Sequence, residues 1–259
     1  MHNLIRDIPL IIAARRHTRR KKKPLIGLAV SDAWPDRLQV RRLPYDFALA
    51  RAGARIRTLV PGQIDETEMV LEQIDGLVCA GGEDIDPRHY AYEGTKPHVR
   101  SSHVLRDRFE LALLDGAIAA HMPVLCICRG AQLLAVWGGG GLQSHVNDEM
   151  HTREHISFIY RLAYHPVTIV PQTRLAGIIG KDRIRVNSFH HQSIRDPGNL
   201  RVCATAQTGQ IEAVEIPGED FILGVQWHPE VMALCNRSEQ RLFRAFIDAA
   251  RRYKEQKNR

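Results

Sequence analysis

Three short segments of this 259-residue chain carry side chains suited to nucleophilic chemistry. In Pro123-Val-Leu-Cys-Ile-Cys-Arg-Gly-Ala-Gln132 an apolar run ends at Cys128 and small residues follow. A strand that stops at a cysteine and restarts at once as a helix makes a sharp turn, the nucleophile elbow, which projects its apical side chain from the sheet edge. The turn needs a residue without a side chain two positions on, and Gly130 supplies it. The helix N-terminus at the sulfur favours thiolate over thiol. From this segment alone, a catalytic thiol and a buried strand-end cysteine are readings of equal weight.

Gly224-Val-Gln-Trp-His-Pro-Glu230 breaks the tie. Pro229 biases His228 towards an extended conformation, in which residues two apart point the same way. Imidazole and carboxylate then face the strand end where Cys128 emerges. The roles follow from the chemistry: Cys128 attacks a carbonyl, His228 takes and returns the proton, and Glu230 holds the imidazole tautomer and stabilises its charged form. A third strand end, Gly81-Gly82-Glu83-Asp84, brings adjacent glycines whose N–H groups can approach a ligand. With the N–H of Arg129 they suit an oxyanion hole.

The elements that must position these residues alternate along the chain. Strands are expected at Leu25–Val30, Ile56–Val60, Gly76–Ala80 and Val124–Ile127, with helices at Tyr45–Ala52, Thr67–Ile74, Leu105–Ala120 and Arg129–Trp137. Leu111, Leu114 and Ile118 form the apolar spacing of the third helix. That alternation argues for a parallel sheet covered on both faces. Further on, Val167–Val170, Ile184–Val186, Val202–Ala206, Glu212–Ile216 and Ile222–Trp227 read as strands with short connections, extending the sheet partly in antiparallel fashion. A helix over Ser238–Tyr253, with its stripe of Leu242, Phe243, Phe246 and Ile247, closes the fold.

Composition narrows the class. The chain is 44% hydrophobic and 25% charged, the balance of a globular protein able to bury a core. Its net charge of +7 is local. Residues 15–23, RRHTRRKKK, hold seven cations, and the rest balances 29 basic against 29 acidic residues. Residues 1–23 are therefore expected to be a solvated, disordered basic extension, with a weak, salt-sensitive membrane-surface or nucleic-acid contact as the sharper alternative, and 24–259 a single domain with no nucleic-acid face. The apolar run Pro9–Ala14 is too short to span a bilayer, and most of its flanking positive charge follows it, which does not suit a secretory signal. Cys79, Cys126, Cys128, Cys203 and Cys235 are odd in number and show no disulfide or zinc spacing, which suits a reducing cytoplasm.

Together the segments resemble the class I glutamine amidotransferases, whose pattern is Gly-x-Cys-x-Gly followed by His-x-Glu. Within that superfamily the chain is most similar to the γ-glutamyl-γ-aminobutyrate hydrolases. The supporting stretches are Ala80–Pro87, Arg106–Glu110, Ile127–Gln132, Asn187–Gln192 and Gly224–Glu230, and the likeness runs from about residue 24 to 250. It implies a flavodoxin-like α/β fold, a mainly parallel open sheet flanked by helices with extra antiparallel strands in the C-terminal half. It also implies hydrolysis of a γ-glutamyl amide through a thioester, with no cofactor and no metal. By position Cys128, His228 and Glu230 form the triad, Gly82 and Arg129 are oxyanion donors, and Gln132, His191 and Gln192 lie near the glutamyl group. The partner implied is a small-molecule γ-glutamyl substrate, with a homo-oligomer left open.

One departure concerns the elbow. The first glycine of the family pattern is Cys126 here, so a side chain must fit where the family has none, and a second thiol open to oxidation stands two residues from the first. Rival readings have narrower support. His151-Thr-Arg-Glu-His155 matches a zinc-peptidase signature, but the flanking residues do not suit a long helix. His190-His191 reads as a turn ahead of a metal pair. A glutaminase subunit feeding ammonia to a separate synthetase keeps the chemistry and changes its destination. A non-catalytic protein on the same scaffold would be marked by loss of a triad member, and all three are present.

Overall fold

The structure, a computed structural model, describes residues 23–32, 42–90, 99, 101–143, 163–218 and 220–259. The extension up to Lys22 and the His151–His155 motif lie outside them. Strands β1 (Leu25–Ala29), β2 (Arg55–Leu59), β3 (Gly76–Cys79) and β4 (Val124–Ile127) alternate with helices α1 (Leu43–Ala52), α2 (Thr67–Gln73), α3 (Val104–Ala119) and α4 (Arg129–Trp137). Then come β5 (Gly141–Gln143), β6 (Ala163–Ile169), α5 (Arg174–Ile179), β7 (Arg183–Ser188), β8 (Ser193–Asp196), β9 (Arg201–Ala206), β10 (Ile211–Glu215) and β11 (Ile222–Val225). Helices α6 (Pro229–Met232) and α7 (Arg237–Lys257) follow.

All these strands join one sheet, ordered β2-β1-β3-β4-β11-β10-β9-β6-β7, with β8 attached to β10 and carrying β5. The five strands from β2 to β11 are parallel. From β10 onward the neighbours alternate antiparallel. The sequence dictates where each half lies. The strands LIGLA, GLVC, VLCI and ILGV are almost wholly apolar and buried, so both faces need cover. One face packs Ile26, Leu125, Ile127 and Val225 under Leu49 of α1 and Phe243 and Phe246 of α7. The other packs Leu77, Val124 and Cys126 under Val70 of α2, Leu113 of α3 and Leu133 of α4.

The mainly parallel sheet with an antiparallel C-terminal extension is the architecture expected from the sequence, with differences in detail. Leu111 and Ile118 of α3 are only partly buried. The face that α3 turns inward carries Arg106, Asp107 and Glu110 beside Phe109, Leu113 and Leu114. Short elements β5, β8, α5 and α6 carry too few residues to show a period, and β6 begins well before the apolar run at Val167.

Candidate active site

The elbow is built by three neighbouring segments. Cys128 follows β4 with φ 53° and ψ −106°, a conformation that costs a non-glycine residue on the order of 1–3 kcal/mol and needs its surroundings to enforce it. Those surroundings are specific. The Cys128 N–H donates to the Val225 carbonyl at 2.8 Å, tying the turn to β11, and the Gln132 N–H donates back to the Cys128 carbonyl at 3.2 Å. A Cβ on Gly130 would lie 2.2 Å from the Cys79 carbonyl oxygen, so no larger residue fits there unless the backbone shifts. The turn also separates the two thiols. Cys128 packs with the face that holds Tyr45 and Ala80, whereas Cys126 lies on the opposite face with Cys79, its register partner. The expectation of a second thiol open to oxidation is thereby corrected: Cys126 is fully buried beside Cys79.

Because β11 pairs with β4 in register, Val225 opposite Ile127, the residues after both strands emerge at one sheet edge. His228 Nδ1 lies 2.7 Å from Glu230 Oε1. With Nδ1 held by the carboxylate, Nε2 is the nitrogen left for the sulfur. The Asn187 side chain clamps the histidine backbone: its Oδ1 accepts from the His228 N–H at 2.9 Å and its Nδ2 donates to the His228 carbonyl at 3.1 Å. Phe189 presents its ring to the imidazole at 5.4 Å in a T-shaped contact. Burial opposes a charged imidazole here, but Glu230 and Cys128, as charges and as hydrogen-bond partners, outweigh it and hold the His228 pKa well above the usual histidine value. Tyr45 stands on the far side; its hydroxyl accepts from the Gly81 N–H at 3.1 Å. Burial, then the Glu230 charge, push its pKa well up, so it stays a neutral phenol.

The Gly81-Gly82 turn rests on buried charges. Arg106 donates through Nη2 to the carbonyls of Ala80 (3.2 Å) and Gly81 (3.1 Å), through Nη1 to Glu83 (2.6 Å) and through Nε to Glu110 (2.7 Å). A Cβ on Gly82 would lie 2.0 Å from Arg106 Nη1, which accounts for the glycine. Burial pushes the Glu83 carboxyl up, yet Arg106 and the Ser31 hydroxyl bring it down to about 2. The guanidinium of Arg129 is buried too, bonded to Glu110 and Asp107, and this residue is not part of the lining of the cleft over the site; only its backbone is left to serve as an oxyanion donor. Its N–H is one of the first-turn amides of α4 that lack a helix acceptor.

A cleft of about 520 Å³ opens over this edge, lined by Gly82, Cys128, His228 and Glu230 together with Arg42, Tyr45 and Phe189 among others. Its size suits a small molecule. Gln132, His191 and Gln192 are not part of its lining. Gln132 Nε2 instead donates to the Gln192 carbonyl (2.9 Å) and to Gln226 Oε1 (3.1 Å). His191 Nε2 contacts both Asp84 oxygens, at 2.9 and 3.1 Å, and Gln192 is buried. His190 Nδ1 contacts the Gln192 carbonyl at 2.9 Å. Among the described residues no group of three or more His, Cys, Asp or Glu is arranged to hold a metal, and no helix is long and apolar enough to cross a membrane. Sequence reasoning gave no role to Tyr45, Arg106, Asn187 or Gln226. Asn187 and Gln226 do stand out in the sequence as amides next to apolar strand residues.

The sheet order and the elbow define a class I glutamine amidotransferase-like protein. The glutaminase domain of a Trypanosoma brucei CTPS, solved with bound acivicin, shares the fold at a TM-score of 0.61 and 15% identity, covering 88% of this chain and 93% of that one. The peptidase C26 family profile matches residues 25–230, and the chain belongs to that family, among hydrolases of the glutamine amidotransferase type. A Mycobacterium tuberculosis protein named "Putative glutamine amidotransferase Rv2859c" is 39% identical over 244 residues, covering 89% of this chain and 76% of that protein. The gamma-glutamyl-gamma-aminobutyrate hydrolase of Escherichia coli O157:H7 is 30% identical over 202 residues, covering 74% of this chain and 78% of that protein.

Proposed function

We propose that the protein hydrolyses a γ-glutamyl amide to glutamate and an amine through a thioester on Cys128. The observation that carries the reading is the His228–Glu230 pair at 2.7 Å, opening on the same cleft as the elbow cysteine. His228 takes the Cys128 proton, and the thiolate sulfur attacks the γ-carbonyl carbon. The carbonyl oxygen becomes an oxyanion that the N–H groups of Gly82 and Arg129 receive; the Gly81 N–H is already engaged by Tyr45. As the tetrahedral intermediate collapses, the C–N bond breaks and the proton on His228 Nε2 goes to the leaving amine. His228 then takes a proton from water, which attacks the thioester, and glutamate leaves as the thiol is restored. Glu230 holds the imidazole through Nδ1 and stabilises the imidazolium. No step requires a metal or an organic cofactor, and a cytoplasmic setting suits a catalytic thiol.

Support comes from the relatives named for γ-glutamyl-γ-aminobutyrate hydrolysis and from a cleft roomy enough for a substituted amide. The relatives named as glutamine amidotransferases favour a second destination, ammonia release for a separate synthetase. Glutamate release from a panel of γ-glutamyl amides that includes glutamine, with Cys128→Ala as control, tests both. Preference for a substituted amide is expected. Activity on glutamine alone would turn the reading to an ammonia-donating subunit, and no release by the folded protein would overturn it.

A further inference from the structure

Gln226 is a primary amide with no exposed surface, set between β11 and the His228–Glu230 pair. A buried amide is costly unless its donors and acceptor are used. Its Nε2 lies 3.6 Å from Cys128 Sγ. The orientation of the amide is fixed by its neighbour. Gln132 has two side-chain hydrogens, and its Nε2 directs one at the Gln192 carbonyl and the other at Gln226 Oε1. Gln226 must therefore turn its oxygen to Gln132 and its N–H group to the sulfur.

We infer that Gln226 is a catalytic hydrogen-bond donor to the Cys128 thiolate, and that Gln132 acts as a positioning residue that aims it. The inference rests on Cys128 being the nucleophile of the proposed reaction, but its chemistry needs no substrate. An N–H donor stabilises a sulfur that carries charge more than one that carries a proton. The titratable groups around the sulfur are His228, with Glu230 behind it, and Tyr45. Only His228 among them exchanges a proton with the thiol. Gln226 is neutral, so it favours the thiolate at every pH and competes with no proton transfer. Gln132 thereby acts on the sulfur at second hand, from within the helix that the elbow starts.

The test is alkylation of the full chain by iodoacetamide from pH 6 to pH 9, read by mass spectrometry on the peptide that contains Cys128. Gln226→Leu keeps the bulk and removes the donor. The expected result is alkylation about tenfold slower at pH 6, with the gap narrowing as the pH rises towards 9, because only the thiolate fraction changes. Gln132→Leu is expected to give the same trend at about threefold, since the donor remains but is no longer aimed. Equal rates for wild type and Gln226→Leu at pH 6 overturn the inference. So does a rate ratio that is the same at every pH, the mark of a packing defect. If Gln226→Leu loses its cooperative thermal transition, Gln226→Met, of similar length and without a donor, is read by the same two criteria. A protein that cleaves no γ-glutamyl amide still yields the profile, so failure of the proposed reaction and failure of this inference are separate results.

Discussion

The demand for glycine at position 130 can be measured against a matched control in the same molecule. Gly130 and Gly177 both lie in α-helices, α4 and α5. Alanine at either removes backbone entropy from the unfolded chain and gains about 1 kcal/mol of helix propensity. The difference is space. At Gly177 nothing lies within 4 Å of the added Cβ, whereas at Gly130 the Cys79 carbonyl oxygen lies at 2.2 Å. An ordinary contact at that point needs the elbow or β3 to move by about 1 Å, and overpacking of this kind costs up to about 3 kcal/mol. The net expectation for Gly130→Ala is a loss of about 2 kcal/mol, a fall in Tm of about 4–8 °C. Gly177→Ala should gain up to about 1 kcal/mol, a rise of about 2–4 °C. The same displacement separates nucleophile from base, and misplacement by about 1 Å can cost about a hundredfold in rate. Thermal unfolding of both variants and glutamate release by both are the assays. A Gly130→Ala protein as stable and active as wild type would refute the assignment of the Cys79 carbonyl as the constraint.

Three further outcomes are expected. Cys128→Ala should abolish glutamate release while Cys126→Ala leaves it measurable, since Cys126 faces Cys79 across the sheet from the cleft; the reverse pattern would move the nucleophile. Glu230→Gln should fold yet lose about 10²–10⁴-fold in kcat, and unchanged turnover would remove it from the triad. Its stability has a pH signature. The His228 pKa is raised on folding, so the stabilisation it supplies is full below about pH 6.5 and fades as pH rises through the raised value. The stability gap between wild type and Glu230→Gln should therefore be widest near pH 6 and narrow in alkali, checked by denaturant titration at each pH. Arg106→Met leaves Glu83 and Glu110 without their shared cation and frees the Ala80 and Gly81 carbonyls, for an expected loss of about 3–5 kcal/mol. A Tm within about 2 °C of wild type would show that the arginine does not hold the turn.

The parts of the fold that sequence reveals are those where one physical signal dominates. Val124–Ile127 and Arg129–Trp137 end where the sequence places them, because an apolar run meets a cysteine and a glycine with no residue to spare. The stripe of Leu242, Phe243, Phe246 and Ile247 is buried as its spacing requires. The helix over Val104–Ala119 is legible but its inner face is not. Arg106 and Glu110, four apart on it, are almost wholly buried because Glu83 and Arg129, distant in sequence, complete their bonding. The site divides in the same way. Cys128, His228 and Glu230 announce themselves by local geometry. Asn187, Tyr45 and Gln226 act through partners 41, 36 and 98 residues away, and no pattern along the chain records such pairings. Glutamine at 132 falls between the two: its place in the elbow motif suggests the substrate, while its hydrogen bonds lead to another glutamine.

The strand order has a consequence for how the site comes into being. β11 is the last strand in the chain and sits at the middle of the sheet, between β4 and β10. Until residues 222–225 insert there, the parallel and antiparallel halves have no common neighbour, and β4 presents the open apolar edge VLCI. Pairing across such sequence separations is slow, and an unpaired edge invites association with other chains. The strand that closes this gap also delivers His228 and fastens the elbow through the Val225 carbonyl. Maturation of the site and completion of the sheet are one event, so substitutions that slow the insertion of β11 should show first as lost yield of folded protein.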